Sequence, residues 1–192
     1  MVFLIFAVTR NQKCQDMEIT IRKELPFDYP IVFEIIELAF RTMPFADGDE
    51  QFLVEKLRKS SRFIPDLSLV AETNGKPVGH ILFTPLEIIH DVSVFNSLTL
   101  APVSVHPEFQ NKGIGSALIE EGHRIAITLG FTSCFVVGHP GYYPRFGYQP
   151  TERWGIPPPH GAPPEAFMAV ELIPGALDSV TGTAKFLPEF GI

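Results

Sequence analysis

Cysteine is scarce in this chain. Cys14 and Cys134 are its two cysteines among 192 residues, too few for a disulfide framework, so they are expected as free thiols in a reducing, cytoplasmic compartment. Basic charge is scarce as well. The 15 Lys and Arg stand against 22 Asp and Glu, a net charge of −7, and they form no cluster. That argues against a nucleic-acid partner, whose phosphates demand basic surface, and it permits a cationic one such as an amine. The nearly all-apolar residues 1–8 are too short to span a bilayer and lack the basic stretch that precedes a signal peptide's apolar core. The spacings His-Glu-x-x-His and Cys-x-x-Cys are missing, so no metal site is expected. There is no Gly-x-Ser-x-Gly elbow to suggest a serine hydrolase. Nor is there an internal repeat or a linker. What remains is 45% hydrophobic and 19% charged residues, a globular composition at a length that favours one domain.

The periodicities sketch an α/β domain. Residues 18–23 alternate like a half-buried strand, with Ile19 and Ile21 inward. Asp28-Tyr29-Pro30 opens a helix whose apolar face is Ile31, Val32, Ile35, Leu38 and Ala39. A second helix is expected over 49–59, with Asp47 and Glu50 at capping-box spacing. Strands follow at 67–72 and 78–88, joined through Asn74-Gly75, a pair suited to the positive φ of a type I′ turn. Pro85 marks a bulge or an edge in the second of them. A further strand, 98–105, leads to a helix over 116–129 with Leu118, Gly122, Ile125, Ala126 and Leu129 buried and Glu120 and Arg124 outside. Then come a nearly continuous apolar strand at 132–137, a short helix at 142–146, and a loop at 155–164 with five prolines. The last strand is expected at 167–173, and residues beyond 175 show no pattern. The fold class is α/β: a mixed, largely antiparallel sheet of six or seven strands flanked by about four helices.

The chemistry starts at Gln110-Asn111-Lys112-Gly113-Ile114-Gly115. A strand that turns through Gly-x-Gly into a helix leaves backbone N–H groups pointing outward at a helix N-terminus, which holds an anion and above all a phosphate. Glycine lets the ligand approach, and Lys112 adds positive charge. Two common phosphate loops do not fit. The Walker spacing is missing, and Leu118 stands where a dinucleotide fingerprint needs its third glycine.

With its flanks, Leu100 to Phe109 before and Ser116-Ala117-Leu118 after, this loop resembles the acyl-CoA loop of the GNAT N-acetyltransferase superfamily, Gln/Arg-x-x-Gly-x-Gly/Ala. The resemblance continues through Gly138-His139-Pro140-Gly141-Tyr142-Tyr143-Pro144-Arg145-Phe146-Gly147-Tyr148 and Phe167-Met168-Ala169-Val170-Glu171-Leu172. It covers the chain from about Met17, so residues 17–192 are expected as the acetyltransferase domain and 1–16 as an extension, read as the product of an upstream start codon.

The resemblance implies acetyl-CoA as cosubstrate and transfer of its acetyl group to a primary amine by direct attack. Gln110, Asn111, Lys112, Gly113, Ile114, Gly115 and Ser116 would hold the pyrophosphate. Val103, Ser104 and Val105 would meet the pantetheine on a strand that splays from its neighbour, and Pro102, with no N–H to donate, agrees with disrupted pairing there. Tyr143 would protonate the departing thiolate, with Tyr142 behind it in a structural role. Strand 97–105 carries no carboxylate or histidine to act as base. The candidates are His139, Glu87 and His80, with His139 preferred because it precedes the tyrosines and imidazole titrates near neutrality, and a water chain as an equal alternative. The acceptor, a small-molecule or peptide amine, would enter from the opposite side of the sheet, with residues 28–60 and 154–164 setting its identity. A homodimer is one open assembly. The rival reading is a catalytically silent acyl-CoA-binding sensor or partner module, supported by the missing base.

Overall fold

The computed structural model describes residues 18–41 and 48–191. The expectations placed on residues 1–16, on Cys14 and on the Asp47 cap fall outside them. Strands β1 (Thr20–Lys23), β2 (Ser68–Thr73), β3 (Lys76–His90), β4 (Ser93–Val105), β5 (Ser133–Val137), β6 (Gln149–Pro150), β7 (Phe167–Glu171) and β8 (Thr183–Lys185) form one sheet. Its order is β1-β2-β3-β4-β5-β7-β6, with β8 added along β3. The β4–β5 pair is parallel and the others are antiparallel. Helices α1 (Tyr29–Phe40), α2 (Glu50–Lys59) and α3 (Ile114–Thr128) complete it. The expected mixed, largely antiparallel sheet is present, with more strands and fewer α-helices than the periodicities suggested. The extra strands have two and three residues, and the region 142–146 forms a 3-10 turn at Tyr143–Phe146, ended by Gly147 in the left-handed region.

Side-chain alternation along β3 assigns the two faces. Ile81 and Phe83 belong to the core beneath α3, with Leu118 and Ile119. Leu82 belongs to the core beneath α1 and α2, with Val32, Ile36, Val54 and Leu57. Leu86 and Ile88 continue that second face with Phe135, Phe167, Leu177 and Phe186. Each of these aliphatic or aromatic side chains, fully withdrawn from water, contributes roughly 1.5–3 kcal/mol.

Several helix positions differ from the periodic reading. In α1, Ile36 is buried while Ile31 is exposed and Leu38 half-buried. In α3, which begins at Ile114 rather than Ser116, Ile114 and Ile119 are buried and Leu129 is exposed. The stripe is rotated because α3 also packs its start on Gly79, where an added Cβ would lie 3.2 Å from atoms of Ile114 and Leu118. The α2 ends agree with the helix dipole, Glu50 at the start and Lys56, Arg58 and Lys59 at the finish. Asn74 and Gly75 take φ of 50° and 73°, as the hairpin reading requires. Pro85 sits where β3 has no second neighbour, beyond the reach of β2 at Leu82 and before β8 at Glu87. The strand at Phe167 is not the last. Beyond it Leu177, Val180, Phe186 and Leu187 are buried, and β8 pairs with β3. That tail showed no period because its anchors hang from turns rather than from one regular element.

Candidate acyl-carrier and acceptor site

The pairing of β4 with β5 is brief. Leu98 lies opposite Cys134 and Thr99 opposite Phe135, and there it ends, while β5 continues with β7 up to Val137 and Phe167. Residues 100–105 of β4 thus part from β5 and keep only β3. Backbone direction alternates along a strand. His106 donates its N–H to the Val78 carbonyl on β3, so Ser104 also bonds toward β3 and the N–H and C=O groups of Val103 and Val105 face the cleft. One of these groups is already used: Gln110 Nε2 donates to the Val105 carbonyl at 3.1 Å. Val103 therefore carries the freest amide edge of the three residues named from sequence.

The cleft ends at the glycine loop. Asn111 and Gly113 hold positive φ, 60° and 82°, which turns the chain sharply into α3. Ala117 N–H makes the first helical bond, to the Gly113 carbonyl, so the N–H groups of Ile114, Gly115 and Ser116 have no partner inside the helix. Three converging N–H groups at a positive dipole end are an anion site. Lys112 turns its ammonium back to the Glu108 carbonyl at 2.9 Å and over the Phe109 ring, so its charge is fixed beside the loop.

Tyr142 joins this end of the cleft. A Cβ on Gly115 would come within 2.9 Å of its hydroxyl, and Arg145 lies over its ring, 4.6 Å from the centroid, while donating to its carbonyl. Sequence reading gave Tyr142 a structural place and assigned Arg145 no role; the two successive tyrosines at the start of the 3-10 turn point in different directions.

Tyr143 turns inward from the same turn. It is buried, packs edge-on against Tyr142 and Tyr148, and presses so closely on Gly138 that a Cβ there would lie 2.2 Å from its ring. Burial raises its phenol pKa well above the ordinary value, with Tyr142 and Cys134 adding to the effect, so it stays protonated. Burial likewise pushes the Cys134 thiol up to about 12, which fits the core position read from sequence and not a nucleophile. His139 is exposed, and its Nδ1 accepts the Gly141 N–H at 3.0 Å, so one ring nitrogen serves its own turn. Glu87 pairs with Arg62 at 2.9 Å.

His80 is fully buried on the other face of the sheet, within a polar set gathered from four elements. Ser68 donates to Glu24 Oε2 at 2.7 Å and lies 3.1 Å from His80 Nε2. Glu24 also takes a two-pronged ion pair from Arg58, whose guanidinium stacks on Tyr29. Burial alone would raise the Glu24 carboxyl, but hydrogen bonds and charge from His80 and Arg58 overcome it and lower the pKa to about 2. Burial also lowers the His80 pKa, against the pull of Glu24. The two effects are consistent once Arg58 is taken as the charged partner and His80 as neutral.

Among the described residues no helix is long and apolar enough to cross a membrane. A profile for the acetyltransferase (GNAT) domain matches residues 65–150. Over 125 residues the chain is 38% identical to the uncharacterized N-acetyltransferase YjhQ of Escherichia coli K12, covering 65% of this chain and 69% of that one. A GNAT family acetyltransferase from Brucella melitensis, solved in complex with acetyl-CoA, is 32% identical with a TM-score of 0.74, over 91% of this chain and 99% of that one. YhbS from Escherichia coli, solved with CoA, shares the fold at a TM-score of 0.82 and 24% identity, over 95% and 97% of the two chains. By these matches and by its own loop and splayed strands, the chain belongs to the GNAT family of N-acetyltransferases.

Proposed function

We propose that the protein transfers the acetyl group of acetyl-CoA to a primary amine, carried by a small molecule or a peptide, by direct attack on the thioester. The parting of β4 from β5 carries this reading, because it opens amide edges beside an anion-binding helix N-terminus. In this reading the pyrophosphate lies on the N–H groups of residues 113–116, with Gln110, Asn111 and Lys112 shaping the loop. The pantetheine runs along Val103 to Val105. The Val103 N–H holds the carbonyl oxygen as negative charge develops on it. Holding amine and thioester in line supplies much of the rate, so no covalent intermediate on the protein is needed.

Tyr143 gives its proton to the departing thiolate. Its support is the protonated state that burial enforces and its seat against Gly138, one residue past the end of β5. Of the candidate bases named from sequence, His139 is the less suited, since its Nδ1 is engaged in the turn. The acceptor enters from the face that carries α1 and α2. Trp154 and Ile156 pack into the cluster of Leu86, Phe135 and Phe167 on that face, so the proline-rich residues 157–164 depart from beside the acceptor's path.

Thiol release from acetyl-CoA across a panel of amines tests the reading, with calorimetry of acetyl-CoA alone as a separate arm. Acetyl-CoA binding with amine-dependent thiol release is expected. Binding with no release for any amine supports the silent acyl-CoA-binding module instead. Tyr143→Phe is expected to slow the chemical step roughly 10²–10⁴-fold with acetyl-CoA affinity kept. An unchanged single-turnover rate removes Tyr143 from the acid role.

A further inference from the structure

Ser68 has a single hydroxyl proton, and it goes to Glu24 at 2.7 Å. Facing His80 Nε2 at 3.1 Å, the Ser68 oxygen therefore accepts, and Nε2 carries the imidazole proton. Glu24 Oε1, 3.5 Å from Nε2, favours the same arrangement. Nδ1 is left as a lone pair. It is buried and has no hydrogen-bond partner. Across the β3–β4 ladder, Ser104 is the register partner of His80 and shares its face. The Ser104 hydroxyl is buried and unpartnered as well. Buried polar atoms are rarely left so, and two of complementary chemistry at one register position, not bonded to each other at rest, point to a working role in which the Ser104 hydroxyl turns onto Nδ1. Ser104 also follows Val103, whose N–H faces the cleft.

Resting on the acetyltransferase reading above, we propose that His80 is the general base of the transfer, reached through the Ser104 hydroxyl, with Ser68 and Glu24 fixing the tautomer that leaves Nδ1 free. The acceptor ammonium passes one proton to Ser104 Oγ while the Ser104 proton moves to His80 Nδ1. The freed amine lone pair forms the bond to the acetyl carbon, and the C–S bond breaks. The thiolate takes the Tyr143 proton, and the resulting phenolate takes the second proton of the attacking nitrogen. Glu24 steadies the imidazolium, which returns its proton to water by way of Ser104 as the products leave. The missing base on β4 is thus supplied by its neighbour β3. The charged groups around the ring are Glu24 and Asp28, which favour the imidazolium, and Arg58, which opposes it.

The test separates a base from a structural histidine. An alkylamine must lose a proton before attack, whereas a hydrazide is already neutral at pH 7. For the full chain, His80→Gln is expected to lower kcat/KM at least 100-fold with the best alkylamine of the panel and less than threefold with acetylhydrazide or benzhydrazide. Ser104→Ala, a smaller change that guards against misfolding of the first variant, is expected to lower the alkylamine rate at least tenfold and to spare the hydrazide. Equal losses with both acceptor types overturn the proposal and leave His80 structural. Nitrogen-15 spectra of histidine-labelled wild-type protein should show Nε2 protonated and Nδ1 bare at neutral pH, and a protonated Nδ1 also overturns it. Acetyl-CoA binding by calorimetry should be unchanged in His80→Gln. If the wild type binds acetyl-CoA yet acetylates no amine or hydrazide, the transferase reading fails, and the proposal falls with it.

Discussion

Replacing Gly113 by alanine tests the anion loop against a built-in control. Gly113 holds φ of 82° and Gly130 holds φ of 89°, and no heavy atom lies within 4 Å of a Cβ added at either position. Neither alanine meets a clash, so each variant carries only the left-handed backbone penalty, about 1 kcal/mol. For a chain of this length that lowers Tm by roughly 2–4 °C. The two positions differ in what they aim. Gly113 is the residue from which α3 starts, and its φ sets the direction of the Ile114 and Gly115 N–H groups. Gly130 lies past the other end of the helix, where no ligand is expected. Relaxation toward negative φ at Gly113 turns at least one N–H away from the phosphate, and a hydrogen bond to a charged group is worth about 1.5–3 kcal/mol. Gly113→Ala should therefore weaken acetyl-CoA roughly 10- to 150-fold by calorimetry, and Gly130→Ala less than twofold. Equal affinities in the two variants, at equal losses of Tm, would place the pyrophosphate somewhere other than this loop.

Two further outcomes follow from burial. His123 is half-buried, with its pKa lowered by desolvation to about 4, so from pH 6.5 downward the unfolded chain binds a proton that the folded chain refuses. Stability should fall by about 3 kcal/mol between pH 6.5 and 4 on this account, with His80 adding in the same direction. Glu24 works lower: its depressed folded pKa, about 2, contributes stability that is present above pH 4.5 and lost as pH falls through about 2. Urea unfolding from pH 7.5 to 3 reads the sum, and a flat curve between pH 6.5 and 4 refutes the neutral buried histidines. The second outcome concerns the seat of Tyr143. Gly138→Ala puts a methyl 2.2 Å from its ring, so the ring must move, at about 1–3 kcal/mol of stability. Single-turnover acetyl transfer should slow at least tenfold with acetyl-CoA affinity kept, and an unchanged rate shows that the phenol does not need this position.

How much of this was legible depends on how local the signal is. The glycine loop was read directly from Gln110 to Gly115 because its chemistry resides in the backbone of six adjacent residues, and the structure places an α-helix start there. The Asn74-Gly75 turn was legible for the same reason. The splay of β4 was expected from resemblance alone. A strand followed by a helix looks the same in sequence whether or not its neighbour stays paired, and pairing here ends at Thr99 because of where β5 goes next. The buried set of Glu24, Arg58, Ser68 and His80 was illegible. Its members lie on separate elements up to 56 positions apart, and none belongs to a motif. His80 stood among the possible bases as a residue type, without the partners that give it a tautomer. The divergence of Tyr142 and Tyr143 was not legible, because a 3-10 turn spaces side chains differently from an α-helix: Tyr143 turns inward and Tyr142 turns toward Gly115 of α3.

The face that Ser104 meets rests on a single extra residue. Between Ile81 and Phe83, two steps on β3, the partner strand advances three, from Val103 to Leu100. A bulge of this kind reverses which face each later side chain meets. Leu100 and Val103 both pack under α3, although odd spacing would put them on opposite faces of a regular strand. Beyond the bulge, Ser104 therefore faces α1 and α2 beside His80. In an unbulged β4 it would point under α3 and a valine would stand against the imidazole. One inserted residue thus turns the Ser104 hydroxyl to the face that carries α1 and α2. Tyr143 lies in the cluster with Cys134 and Tyr148 beneath α3, and His80 lies on the face that carries α1 and α2, so the proposed acid and the proposed base stand on opposite faces of the sheet, with the cleft edge at Val103 between them.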